Sequence, residues 1–164
     1  MRYFVFVIGF IFIISSSVMA QVEKGDKEIQ LLGSITLVED ASTAMIQGTY
    51  GIFVTPQVEL GVGPSIWYFS AGGFSTTIIG SVFFGRYNFS VDTKQVPYVS
   101  ALWYQQDFSP DYGDFTDYSY LQFGGGVKFF INEHIAYDTS ANLGFALGGG
   151  SVAFTVMGGL SAFF

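Results

Sequence analysis

The chain has no cysteine, which excludes disulfides, thiolate nucleophiles and thiolate metal ligands. Charge is scarce as well. Only 12% of the 164 residues are Asp, Glu, Lys or Arg, too few to coat a water-facing surface. The six basic residues, Arg2, Lys24, Lys27, Arg86, Lys94 and Lys128, are scattered and outnumbered by thirteen acids, so no basic patch exists and nucleic acid is excluded as a partner. Histidine occurs once, at His134. Beyond the N-terminal segment there is no apolar run long enough for a spanning helix. The hydrolase elbow, the zinc-protease helix motif, the phosphate loop and the dinucleotide glycine fingerprint are all missing. No cofactor and no metal site is expected, and catalysis has no evident machinery.

What remains is apolar, aromatic and rich in glycine: half the residues are hydrophobic, with 19 Phe, 10 Tyr and 21 Gly. A disordered chain would be polar and poor in aromatics. Met1-Arg2 followed by the apolar stretch Tyr3 to Ile14, then Ser15-Ser16-Ser17 and Val18-Met19-Ala20, has the order of a secretory signal peptide. The apolar stretch is shorter than a bilayer-spanning helix needs. Residues 1–20 are therefore expected to be a cleaved signal, leaving 21–164 as one domain. An exported chain that is hydrophobic without spanning helices points to a transmembrane β-barrel, the other structure that satisfies every backbone group in lipid.

Alternation supports that reading. Ile135, Tyr137, Thr139, Ala141, Leu143, Phe145 and Leu147 alternate with His134, Ala136, Asp138, Ser140, Asn142, Gly144 and Ala146. The same period of two runs through 121–130 and 153–164, and with more noise through 29–38, 46–54 and 58–68. Segments 76–89 and 96–106 are strand-like but ambiguous in phase. Eight antiparallel strands are expected in an all-β, up-and-down transmembrane barrel, with both termini and short turns on the periplasmic side and longer loops outside. The loops fall at 39–42, 71–75, 107–117 and 148–150. A soluble barrel of the lipocalin type would need a charged outer face. Here the second face carries Gly, Ser, Ala, Thr and Gln, which suits a narrow filled lumen. The glycine pairs Gly61/Gly63 and Gly124/Gly126 lie on that inner face and narrow it.

The chain resembles small bacterial outer-membrane β-barrels, similar to the OmpA transmembrane domain and OmpX. The likeness rests on the signal-like start, on Gly85-Arg86-Tyr87-Asn88-Phe89 followed by Val96-Pro97-Tyr98-Val99, on Gly124 to Ile131, and on the final Gly158-Gly159-Leu160-Ser161-Ala162-Phe163-Phe164. The resemblance implies an outer-membrane location, contact with outer-membrane lipids, and an assembly signal read by the barrel assembly machinery at Phe164. It carries no specific activity.

One set of residues stands out within the barrel. Glu59, Lys128 and Asp138 fall on inward positions, and Arg86 joins them if Phe83, Gly85, Tyr87 and Phe89 face outward. Two acids and two bases would neutralise one another in the lumen, with Lys128 coupled to Asp138. The cluster reads as a salt-bridged core, or alternatively as a gate in a narrow porin-like channel. A lipid-modifying enzyme is the disfavoured alternative. His134, the only histidine, sits at the periplasmic start of its strand, where it has no nucleophile at hand. The stretch 107–118, with four Asp and four aromatics, is a candidate contact for a surface partner.

Overall fold

A computed structural model describes residues 22–38, 41–89, 94–107, 118–147 and 152–164. The expected signal peptide at 1–20 lies outside the described residues, as does most of the loop 107–118.

Eight strands run in chain order: β1 (Lys27–Val38), β2 (Ala41–Phe53), β3 (Val58–Ala71), β4 (Phe74–Asn88), β5 (Gln95–Asp107), β6 (Tyr118–Phe130), β7 (Ile135–Ala146) and β8 (Val152–Phe163). Each pairs antiparallel with its sequence neighbours, and β8 returns to β1 to close the barrel. At twelve to fifteen residues, all exceed the roughly 9–11 that a tilted strand needs to cross a bilayer.

Alternation sets which side chains face out. Ile29, Leu31, Ile46, Leu60, Phe83, Tyr87, Trp103, Phe123, Leu143, Phe154 and Leu160 are all exposed on the outer wall. The phases of β4 and β5 are resolved in the same way. Val82, Phe84, Arg86 and Asn88 face inward on β4, and Val96, Tyr98, Leu102 and Tyr104 do so on β5. Both faces of β4 carry large apolar residues over Ile78 to Phe84, so its inward phase is marked only farther on, by Arg86 and Asn88.

The end that carries the termini has turns at 54–57 and 131–134, and β4 also leads into β5 there. Side chains close both turns. Thr55 Oγ1 accepts from Val58 N–H at 3.0 Å, and Asn132 Oδ1 accepts from the N–H groups of His134 and Ile135, both at 2.9 Å. At the far end the segment 108–117 is the longest connection, whereas 39–40 and Gly72–Gly73 are two residues each. The expected loop at 71–75 is thus a tight hairpin, while residues 39 and 40 lie outside the described residues. Gly72 and Gly73 both take positive φ, at 57° and 83°, as a two-residue hairpin matching the strand twist requires.

The lumen is filled in layers. Nearest the termini, Val22, Phe53, Val96, Phe130, Ala136 and Phe163 pack into an apolar floor. Farther in, Leu32, Met45, Val82, Phe84, Leu102, Tyr104 and Met157 form a second apolar cluster, with Trp67 and Tyr120 against it. Charged and amide side chains lie between.

Candidate functional site

The charged layer is built from inward positions on six strands. Glu59 on β3 faces Arg86 on β4 in register, and Arg86 Nη1 donates to Glu59 Oε2 at 2.9 Å. Lys128, from β6, reaches across the lumen to Glu28 on β1 and lies 3.1 Å from Glu59 Oε2. Arg86 is also 3.5 Å from Glu28 Oε2. Each cation is therefore shared between both glutamates, and all four side chains are at most 3% exposed. Aromatic faces complete the cage. Arg86 lies 4.9 and 4.4 Å from the ring centroids of Phe84 and Tyr98, and Lys128 lies 5.2 Å from that of Phe163.

Asp138 sits in this layer but is held by neutral donors. Tyr98 OH donates to its Oδ1 at 2.6 Å, and Gln30 Nε2 donates to its Oδ2 at 2.7 Å. The Gln30 carbonyl accepts from Arg86 Nη2 at 3.0 Å, so one glutamine bridges the carboxylate and the guanidinium. Lys128 and Asp138 are register partners on β6 and β7, yet the lysine turns to the glutamates. The expected Lys128–Asp138 ion pair is replaced by pairs to Glu28 and Glu59. The reason is geometric: Glu28 and Glu59 bring their carboxylates to one point, while Tyr98 and Gln30 already occupy both oxygens of Asp138.

Sequence reasoning placed Glu59, Arg86, Lys128 and Asp138 inside, and the structure brings all four into one layer. It missed Glu28, Gln30 and Tyr98 as members. Glu28 has the same inward parity as Gln30, but it lies one residue before the alternating stretch 29–38.

Inward glycines make the layer possible. A Cβ on Gly51 would collide with the Glu59 carboxylate, one on Gly61 with the Phe84 ring, and one on Gly126 with Tyr98 and the Thr139 carbonyl. Gly61 and Gly126 thus leave room for large inward side chains on other strands, while Gly63 and Gly124 press against the neighbouring backbone.

The remaining candidates lie at the terminal end. His134 is exposed in the turn before β7, and its carbonyl accepts from Phe163 N–H at 2.8 Å. Phe164 is exposed, and its backbone exchanges hydrogen bonds with Lys27 at 2.9 and 3.1 Å, which extends the closing ladder by one residue pair. Among the described residues, no group of three or more His, Asp or Glu side chains is arranged to hold a metal ion.

No protein-family model matches the chain, and no curated protein matches its sequence. Solved structures do match its fold. The N-terminal β-barrel domain of Pseudomonas aeruginosa OprF aligns with a TM-score of 0.63 at 18% identity, covering 86% of this chain and 98% of that domain. A de novo designed transmembrane β-barrel aligns at 0.56 and 16% identity, covering 88% and 99% respectively. The fold is that of a small outer-membrane β-barrel: eight antiparallel strands, closed on themselves, with an apolar outer wall.

Proposed function

We propose that this chain is an integral outer-membrane protein with a lumen closed to ions, whose role is structural or surface-interacting and not catalytic. The layered lumen carries the reading. A salt-bridged plane of Glu28, Glu59, Arg86 and Lys128 lies between an apolar floor and a second apolar cluster. Small eight-stranded barrels are filled by side chains in this way, and a filled lumen leaves no continuous water path. The apolar outer wall and the signal-like N-terminus support placement in the outer membrane, with both termini periplasmic. Its partners would be the surrounding lipids, the barrel assembly machinery through the strand ending at Phe164, and a surface partner at 107–118.

Conductance in planar bilayers tests the closure. The refolded wild-type protein is expected to give no stable steps. A narrow channel gated by the charge layer is the second reading, because each cation is already shared between two carboxylates and could re-pair. Steady steps in the wild type would favour that reading. Steps appearing only in Lys128→Met would identify the layer as the barrier. A change in the mass of lipid A on co-expression would revive the disfavoured enzymatic alternative.

A further inference from the structure

The barrel closes unevenly. The β1–β8 ladder runs from Glu28↔Phe163 to Gly33↔Gly158 and goes no further among the described residues, although β1 continues to Val38 and β8 begins at Val152. On their other sides these same stretches pair fully, β1 with β2 up to Val38↔Ala41 and β8 with β7 up to Phe145↔Val152. The wall therefore has a seam at the end away from the termini, about 17 Å tall for the five unpaired residues of β1 at the usual strand rise.

A cavity of about 510 Å³ lies at this seam. Ile35, Ile46 and Val156 line it from the outer wall, and Met45 and Met157, both buried in the lumen cluster, back it from inside. Its base is the last ladder pair, Gly33 and Gly158, where the Tyr137 hydroxyl lies over Gly158. The slot is mainly apolar, with the hydroxyls of Ser34, Thr139 and Tyr137 as its polar side-chain groups. It is also flanked by β1 and β8 backbone N–H and C=O groups that no strand pairs among the described residues, a costly state in hydrocarbon.

We propose that the seam binds one acyl chain of a lipid in the leaflet opposite the termini, the outer leaflet. The chain would lie between β1 and β8, and the ester or amide carbonyl at its head would accept from unpaired β1 or β8 N–H groups. This rests on the membrane placement proposed above. An amphiphile matches an apolar slot edged by unpaired donors better than a hydrocarbon alone. An inserted β-strand fits less well, because every second side chain would project into a lumen already filled by Leu32, Met45 and Met157.

Refolded protein in vesicles whose outer leaflet carries a phospholipid with a diazirine-bearing acyl chain provides the test. Belt residues Leu60 and Phe123 report ordinary lipid contact, whereas Ser34 and Met157, on the inward phase at the seam, are labelled only by a chain within it. Labelling at Ser34 and Met157 is expected, with a severalfold fall in Val156→Trp, which fills the slot. It should also fall in oxidised Ile35→Cys/Val156→Cys, a pair that would face each other if the ladder continued, and return on reduction. Belt labelling without labelling at Ser34 and Met157 overturns the seam proposal alone. Absence of belt labelling overturns the membrane reading and the seam with it. A disulfide-linked dimer as the main product of the double-cysteine variant assigns the seam to a second copy and overturns lipid occupancy.

Discussion

A buried cation shared between two glutamates is stable only while both partners remain. Lys128→Met would leave Glu28 and Glu59 to Arg86 alone, and Glu59 Oε1 already lacks a hydrogen-bond partner. Breaking such a buried pair costs about 3–5 kcal/mol. Unfolding in urea should show that loss, and adding Glu28→Gln should recover part of it, because the second change removes the carboxylate left uncompensated. Asp138→Asn should couple to Lys128 more weakly than Glu28→Gln does, since Tyr98 and Gln30 hold Asp138 and the lysine reaches it only through that network. Strong coupling of Lys128 to Asp138 in the double-mutant cycle would contradict the observed geometry. Glycines offer a second contrast at this scale. Gly126→Ala drives a methyl group into Tyr98 and the Thr139 carbonyl and should cost about 1–3 kcal/mol, whereas Gly48→Ala meets nothing within 4 Å and should be close to neutral. Equal stabilities for the two would refute the argument that inward glycines hold space for lumen side chains. The inward position of Glu59, Lys128 and Asp138 could be read from parity alone. Their partners could not, because a strand fixes which way a side chain points but not how far a long one reaches. Lys128 passes over its register neighbour to meet a residue three strands away around the barrel.

Among the strands, alternation was legible where one face is polar and lost where both are apolar. β7 alternates buried and exposed residues along nearly its whole length, and its sequence shows it. β4 carries Val82 and Phe84 into the second apolar cluster while Ile79 and Phe83 face outward, so this part of its sequence shows no polar stripe. Arg86 is what fixes its phase, since an arginine on the outer wall would lie in hydrocarbon. Hairpin lengths were harder to read, because Gly72-Gly73 fits either a loop or a two-residue turn until the flanking pair Ala71↔Phe74 is seen. That turn makes its own prediction. Gly73→Ala places a Cβ at φ 83° and should cost about 1–2 kcal/mol in thermal or urea unfolding, while Gly72→Asn should be tolerated better. A neutral Gly73→Ala would mean that the hairpin is looser than its register implies.

At the scale of the whole molecule, the fold inverts the order of a soluble protein. Glu28, Gln30, Glu59, Gln122, Lys128 and Asp138 are buried, while Leu31, Ile46, Leu60, Leu143 and Leu160 are exposed. In water that outer wall would be a large contiguous apolar surface of the kind that drives aggregation. In a bilayer it is matched to its solvent, and the match should depend on depth. Leu143 is 49% exposed and pairs in register with Phe123, near the middle of β6, whereas Ile131 is 64% exposed in the turn beside the terminal rim. An arginine at the bilayer midplane costs about 2–4 kcal/mol, falling to about 0–1 near the interface. Leu143→Arg should therefore destabilise the barrel by the larger amount and Ile131→Arg by the smaller, as read from reversible unfolding in lipid vesicles. Exposure alone would rank them the other way, since Ile131 is the more exposed of the two. A water-bathed barrel would show little cost at either site. The order of the two costs thus separates a wall that faces lipid from one that faces water, and equal costs would remove the bilayer from the account.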